Sequence, residues 1–355
     1  MTRRTGSGRA VGRRAAATAV AAVVLLATAW SAGLAREGPP HVRFGVQVAP
    51  EDTTYEAMVE VARLVEQLGY DTFWLNDHFV PVLGDRSRPH FESWTLLTAL
   101  ATRTERIRLG ILVSGNTYRH PAVLAKMATT VDHVSGGRLE LGIGAGWEEW
   151  EHRAFGIPFH TPKERAERLG EALAVVTALW DGTEPSSFEG RYYRLRDAPF
   201  LPPPVQRPHP PIVVGGQGEK WIMPLVARYA DEWNVPVGVP PDGVKRRLET
   251  IRAECARIGR SPCVREVSVF LPLANITNVP LAGPVTRLGA RLLVDERAAV
   301  SVLAGSAKEI EAKIRSYVDA GATSVIITTR PSIDRALMKR FADEIVPAFR
   351  APAAR

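Results

Sequence analysis

From residue 42 onward, short runs of β-type apolar residues alternate with longer segments whose apolar positions recur every three or four residues. The runs predicted as strands are Arg43–Val48, Thr72–Asn76, Arg108–Val113, Arg138–Ala145, Pro211–Gly215, Glu232–Pro236, Glu266–Leu271 and Ser324–Thr329. Runs such as Ile212-Val213-Val214 and Val325-Ile326-Ile327 have no polar alternation, which fits strands buried on both faces of a parallel sheet. Between them lie amphipathic segments. In Glu56–Leu68, Ala57, Val61, Leu64, Val65 and Leu68 share one face, and Gly69 follows as a C-terminal cap. Comparable segments are Trp94–Thr104, Val123–His133, Lys163–Trp180, Lys220–Tyr229, Val244–Ile258, Lys308–Ala320 and Ile333–Phe349. Eight strand–helix pairs predict an α/β fold, a (β/α)8 TIM-like barrel with insertions after strands 4 and 7. The alternative, an open doubly wound sheet, lacks a Gly-x-Gly-x-x-Gly after its first strand. Ser187–Arg207 reads as a hairpin followed by a proline-rich connection, and Pro272–Gly305 is longer than an ordinary loop.

Charge changes the picture at one end only. The chain of 355 residues carries a formal +7, with 45 basic and 38 acidic residues, which invites a nucleic-acid partner. Arg3, Arg4, Arg9, Arg13 and Arg14, however, lie in a stretch, 1–35, that has no other charged residue. Without those five, the 40 basic residues left exceed the acidic ones by only two, so no nucleic-acid surface is expected. Residues 15–35 are uncharged and rich in Ala, Val and Leu, and end in small residues. Residues 1–40 therefore read as a signal peptide or an N-terminal membrane anchor, and 41–350 as the barrel domain. Arg13-Arg14 points to export by the twin-arginine route. The alternatives are membrane contact through 15–35, and a cytoplasmic protein whose true start lies near His41. Cys255 and Cys263 form neither a disulfide scaffold nor a metal-ligand spacing, so no metal is expected.

Functional residues of a parallel barrel lie at the C-terminal tips of its strands. His78 is the one histidine at such a tip, next to Asp77, and suits proton transfer near neutral pH. A hydrogen-bonded loop histidine is the competing role. Gly142, Gly144 and Gly146 strip side chains from the strand 4 tip, giving a flat ring access to the backbone or simply making a tight turn. Gly215-Gly216-Gln217-Gly218 follows a buried strand and opens a predicted helix, an arrangement that offers backbone N–H groups to a cofactor phosphate. Glu148, Glu149 and Glu151 read as a solvated helix start rather than a catalytic pair. Trp74, Trp147, Trp150 and Trp233 fall near tips, with core packing the expectation for Trp74. There is no nucleophile elbow, His-Glu-x-x-His or Cys-x-x-Cys.

Taken in order, several segments resemble the luciferase-like monooxygenase superfamily, particularly its branch that uses the deazaflavin coenzyme F420. They are Phe73–Phe79, Arg119–Lys126, Ser135–Trp147, Glu151–Phe159, Gly215–Lys220 and Ala227–Asn234. The resemblance implies a barrel that holds the deazaflavin at its tips, with a non-proline cis peptide near Leu112-Val113-Ser114 backing the ring. It implies a cofactor-phosphate loop at Gly215, Gly216, Gly218 and Glu219, cofactor contacts at Asp77, Gly144 and Gly146, and His78 as the active-site histidine. Sugar-phosphate dehydrogenases of the family carry a Glu after the glycine run. Trp147 stands there instead, which favours an apolar or aromatic substrate. The function so implied is hydride transfer between F420 and a small organic substrate, in a family where homodimers are usual. The alternatives are an FMN-dependent monooxygenase and a cofactor-binding protein without turnover.

Overall fold

The computed structural model describes residues 41–350 except 83, 183–184, 278–297 and 330–333. The expected signal peptide or anchor, residues 1–40, and most of the predicted insertion after the seventh strand lie outside the described residues. Along the chain run β1 (Arg43–Val48), α1 (Tyr55–Gln67), β2 (Thr72–Leu75), α2 (Ser93–Ala101), β3 (Arg108–Ile111), β4 (Ser114–Gly115), α3 (Pro121–Val134) and β5 (Leu139–Gly144). Next are α4 (Glu149–Ala154), α5 (Pro162–Trp180), β6 (Ser186–Glu189), β7 (Arg194–Ala198), β8 (Ile212–Gly215) and α6 (Met223–Tyr229). The remainder is β9 (Glu232–Val235), α7 (Pro241–Ile258), β10 (Glu266–Ile276), β11 (Leu303–Gly305), α8 (Ala307–Asp319), β12 (Ser324–Thr329) and α9 (Arg335–Glu344).

Eight strands pair in parallel in the cyclic order β1-β2-β3-β5-β8-β9-β10-β12, and β12 returns to β1 to close the barrel. The register Phe44↔Val325 and Val46↔Ile327 sets the alternate apolar positions of β1 against the apolar run Val325-Ile326-Ile327 of β12. β4 resumes the third strand after an interruption and pairs with β5. The hairpin β6–β7 is antiparallel, as expected for the first insertion. β10 runs five residues beyond its predicted end and carries β11 on its far part, so the start of the second long connection is extended structure rather than loop.

Local chemistry accounts for the helix ends. In α1 the Thr54 hydroxyl accepts from Ala57 N, the buried face is Met58, Val61, Ala62 and Val65, and Gly69 leaves the helix at φ +78°. That face is turned by about one position from the predicted one, with Ala57 and Leu64 at its margin. The barrel interior is filled by Trp74, Leu112, Val213 and Ile326. Room for the Trp74 ring comes from Gly110, where a Cβ would sit 2.3 Å from Trp74 Cζ3. Trp74 is thus core, as predicted, and Trp233 is core as well.

The N-terminal end of the barrel is closed by charge. Arg43, Arg108, Glu140, Glu232 and Glu266 occupy the first or second positions of five strands. Arg43 reaches Glu140 at 2.7 Å, Glu266 at 2.5 Å and Glu232 at 4.0 Å, while Arg108 Nε reaches Glu140 at 2.5 Å. Three carboxylates share two guanidiniums. Burial, and then Glu140 and Glu266, push the Glu232 carboxyl up to about 8.

Cys255, on α7, and Cys263, before β10, are joined with an S–S distance of 2.05 Å. Their spacing predicts no disulfide scaffold and by itself no bridge. The fold supplies one because α7 ends at Gly259 in a left-handed turn (φ +71°) that folds the chain back along the helix. Among the described residues no helix is long and apolar enough to cross a membrane, and no group of His, Cys, Asp and Glu is arranged to hold a metal ion.

Candidate functional site

The C-terminal mouth is organised around a break in the third strand. The Leu112–Val113 peptide is cis, where the resemblance places it. Leu75 O accepts from Leu112 N at 2.7 Å, and Leu112 O accepts from Gln47 Nε2 at 2.5 Å. Trp94 Nε1 donates to the buried Ser114 hydroxyl at 3.0 Å. Val113 then projects between two strand tips: a Cβ on Gly144 would lie 2.7 Å from Val113 Cγ2, and one on Gly215 2.8 Å from Val113 Cγ1. A Cβ on Gly142 would lie 2.0 Å from Ile111 O. The space left by these missing side chains is therefore filled by the chain's own third strand. Gly146, at φ +77°, sits against Thr117 Oγ1.

Asp77 anchors this bulge from below. Its Oδ2 accepts from Gly115 N at 3.0 Å and Arg119 Nη1 at 2.6 Å, and its Oδ1 from Arg119 Nη2 at 3.0 Å. Both oxygens are engaged and the residue is buried, so Asp77 orders the loop that presents the site. Arg119 also bonds Glu92 at 2.6 Å, which leaves no net cation there.

His78 stands at the tip of β2, half-buried, as predicted. Its Nδ1 lies 2.9 Å from Glu151 Oε2, and Trp147 meets its ring edge-on with centroids 5.6 Å apart. The sequence reading missed Glu151. Of the three glutamates after Trp147, Glu148 caps α4 and Glu149 is exposed, as a solvated helix start requires. Two positions on, Glu151 falls on the opposite face of the helix and is fully buried. Tyr118 OH donates to its Oε2 at 2.7 Å, and the backbone N–H groups of Phe79 and Val80 donate to its Oε1. Burial alone would raise this carboxyl. The bonds from His78, Phe79 and Tyr118 outweigh burial and hold it at about 2. The signal available in the sequence was the segment Glu151–Phe159, which carries part of the family resemblance.

His152 is also buried. Its Nδ1 donates to Glu148 O at 2.7 Å, so its Nε2 accepts from the Thr117 hydroxyl at 2.7 Å. Trp147 and Trp150 remain exposed at the mouth, the latter under the Arg86 guanidinium at 4.4 Å. Trp233 instead donates from Nε1 to Gly216 O at 2.8 Å and supports the glycine loop from inside.

That loop differs from its prediction. The helix expected from Lys220 begins at Met223, because Gly218 O accepts from both Ile222 N and Met223 N. Gln217, Gly218 and Glu219 are exposed loop residues, so the loop and not a helix end faces the solvent. The Glu219 carboxylate turns to α7, 3.2 Å from Arg246 and 3.6 Å from Arg247, and Arg247 also bonds Gln217 O at 2.9 Å. Asn76 Oδ1 and Asn116 Oδ1 are buried acceptors with no partner. The fit for a planar hydrogen-bonding ring with an anionic tail is therefore good: unsatisfied acceptors stand at the tips, and two guanidiniums stand behind the glycine loop.

The sequence profile of the luciferase-like monooxygenase family matches residues 23–277. An F420-dependent glucose-6-phosphate dehydrogenase from Microbacterium testaceum is 27% identical over 335 residues, 87% of this chain and 98% of that protein. A phthiodiolone/phenolphthiodiolone dimycocerosates ketoreductase from Mycobacterium bovis is 34% identical over 217 residues, 55% of each chain. Among solved structures, an F420-dependent secondary alcohol dehydrogenase in complex with an F420-acetone adduct superposes with a TM-score of 0.74. It is 21% identical and covers 87% of this chain and 99% of its own. The F420-dependent tetrahydromethanopterin reductase of Methanopyrus kandleri gives 0.72 at 20% identity, covering 87% and 99%. At these identities the structures establish the shared barrel.

Proposed function

Because the chain belongs to the luciferase-like monooxygenase family, we propose that it is an F420-dependent oxidoreductase in which His78 moves the proton that accompanies hydride transfer to or from a small organic substrate. The observation that carries this reading is His78 at the barrel mouth, its Nδ1 held by the buried Glu151 carboxylate 2.9 Å away. Support for the cofactor comes from the F420-dependent relative aligned over 87% of the chain, and from the unpartnered Asn76 and Asn116 acceptors.

When bound, the deazaflavin supplies the hydride chemistry at its C5 carbon. The protein's part is positional. Val113, wedged between Gly144 and Gly215, backs the ring; the Gly215–Glu219 loop, with Arg246 and Arg247 behind it, takes the anionic tail; Trp147 covers the edge of His78 and limits water. His78 moves the substrate proton at Nε2. Trp147, where sugar-phosphate dehydrogenases of the family carry Glu, favours an uncharged apolar substrate.

Titrating the purified protein with F420 and, separately, with FMN while following cofactor fluorescence tests the assignment. F420 should bind more tightly, and tighter binding of FMN refutes it. His78→Ala should lower turnover by about 10²–10⁴-fold and leave F420 affinity within a few-fold. Unchanged turnover removes His78 from its role. Failure of every carbonyl or alcohol substrate to react would favour a binding protein.

Export or anchoring through residues 1–40 belongs to the same proposal. It is supported by the leader's charge pattern and by the Cys255–Cys263 bridge, since such bridges persist in oxidising compartments. N-terminal sequencing of the native protein tests it.

A further inference from the structure

A neutral imidazole carries one proton, and the nitrogen that holds it decides whether the other accepts or donates. For His78 the choice is made by its surroundings. Glu151 Oε2, 2.9 Å from Nδ1, belongs to a carboxylate that can only accept, so Nδ1 carries the proton. Among the described residues no hydrogen bond reaches Nε2. The carboxylate is itself fixed at both oxygens, Oε1 by the N–H groups of Phe79 and Val80 and Oε2 by Tyr118 OH at 2.7 Å. The other titratable or charged groups around His78 are turned elsewhere. Asp77 is closed by Arg119, Glu148 faces Arg86, His152 bonds Thr117 and Glu148 O, and the His90 Nδ1 bonds Phe91 O.

We propose that Glu151 and Tyr118 are positioning residues for the reaction. Glu151 locks His78 as the Nδ1–H tautomer, so that the Nε2 lone pair faces the substrate, and Tyr118 moderates how strongly the carboxylate holds a charged ring. The inference rests on the function proposed above. In the oxidative direction the proton of a substrate hydroxyl passes to Nε2 while the hydride on its carbon leaves to the deazaflavin. In the reductive direction the imidazolium Nε2–H returns the proton to the carbonyl oxygen as the hydride arrives. In each case one hydride, carrying the two electrons, and one proton move, so the substrate loses or gains two hydrogens.

The geometry makes Glu151→Gln a specific test. The two backbone N–H groups hold the amide oxygen at the present Oε1 position, which places the amide NH2 opposite Nδ1. Nδ1 must then accept, and the ring proton moves to Nε2. Long-range 15N–1H correlation spectra of the full chain without cofactor, above the pH at which the ring is charged, read this directly. The expected result is Nδ1–H in the wild type and Nε2–H in E151Q, with turnover lower by roughly 100-fold or more and F420 affinity within a few-fold. Nε2–H in the wild type, or an unchanged tautomer in E151Q, overturns the proposal.

If E151Q does not fold, Tyr118→Phe decides. It removes one donor from the carboxylate, making it hold the imidazolium more tightly, so the acidic limb of the turnover profile should move to higher pH with the tautomer retained. An unmoved limb overturns the proposal. A tautomer switch in a protein that reduces or oxidises no substrate leaves the positioning intact and discards the redox reading, so the two failures are distinguishable.

Discussion

The charge cluster at the N-terminal end of the barrel makes folding stability depend on pH in a defined direction. Glu232 is fully buried, its Oε1 has no partner, and it lies 4.0 Å from the Arg43 guanidinium that Glu140 and Glu266 approach more closely. Burial, with those two carboxylates, raises it to about 8. In the unfolded chain it returns to the ordinary range near 4.5. Between these two values the folded protein holds a proton that the unfolded chain releases. The stabilisation is therefore complete below about pH 4.5 and is lost as the pH rises through about 8. The slope for one proton is about 1–2 kcal/mol per pH unit, or roughly 3 kcal/mol between pH 5.5 and 7.5. Glu232→Gln keeps the neutral shape and an oxygen that accepts from Ser268, but removes the ionisation. Urea unfolding of both proteins at half-unit steps from pH 5.5 to 8.5 isolates the effect, because all other titrations cancel in the difference. The variant should gain on the wild type steadily as the pH rises. A difference that stays constant over this range would refute the reasoning.

Two further perturbations follow from the packing. Gly144→Ala should cost about 1–3 kcal/mol in chemical unfolding, since its Cβ would meet Val113 Cγ2 at 2.7 Å, and should weaken F420 binding by displacing the third-strand bulge; wild-type stability and binding would remove the bulge from the site. Reducing Cys255–Cys263, which closes a loop of eight residues, should lower stability by roughly 2–3 kcal/mol, measured as melting with and without a thiol reductant; an unchanged melting curve contradicts a bonded pair.

Much of the barrel was legible because periodicity is a local property. Arg43–Val48 and Ser324–Thr329 appear with their predicted bounds, since their apolar positions, Phe44, Val46 and Val48 in one and Val325, Ile326 and Ile327 in the other, mark the buried run. Boundaries moved where another group competes for the backbone, near in sequence or far. Gly218 O takes two N–H groups and delays α6 to Met223, and β10 extends because β11 returns to pair with it. His78 was legible because a lone histidine at a strand tip is conspicuous. Glu151 was not, because three glutamates in a row of four residues look solvated until the helix is docked and its faces are assigned.

The sequence alone determined the parallel barrel, the strand tip on which His78 stands, and the separation of a basic N-terminal stretch from a nearly neutral body. These depend on hydrophobic period, strand order and composition, all of which are written along the chain. Only the tertiary structure decided that Asp77 is neutralised by Arg119, that the Glu151 carboxylate meets both His78 and Tyr118, that the tip glycines make room for Val113, and that Glu232 is short of a counter-ion. Each of these depends on residues distant in sequence meeting within about 3–4 Å, and on burial, which sets the strength of a charge and which no linear pattern records.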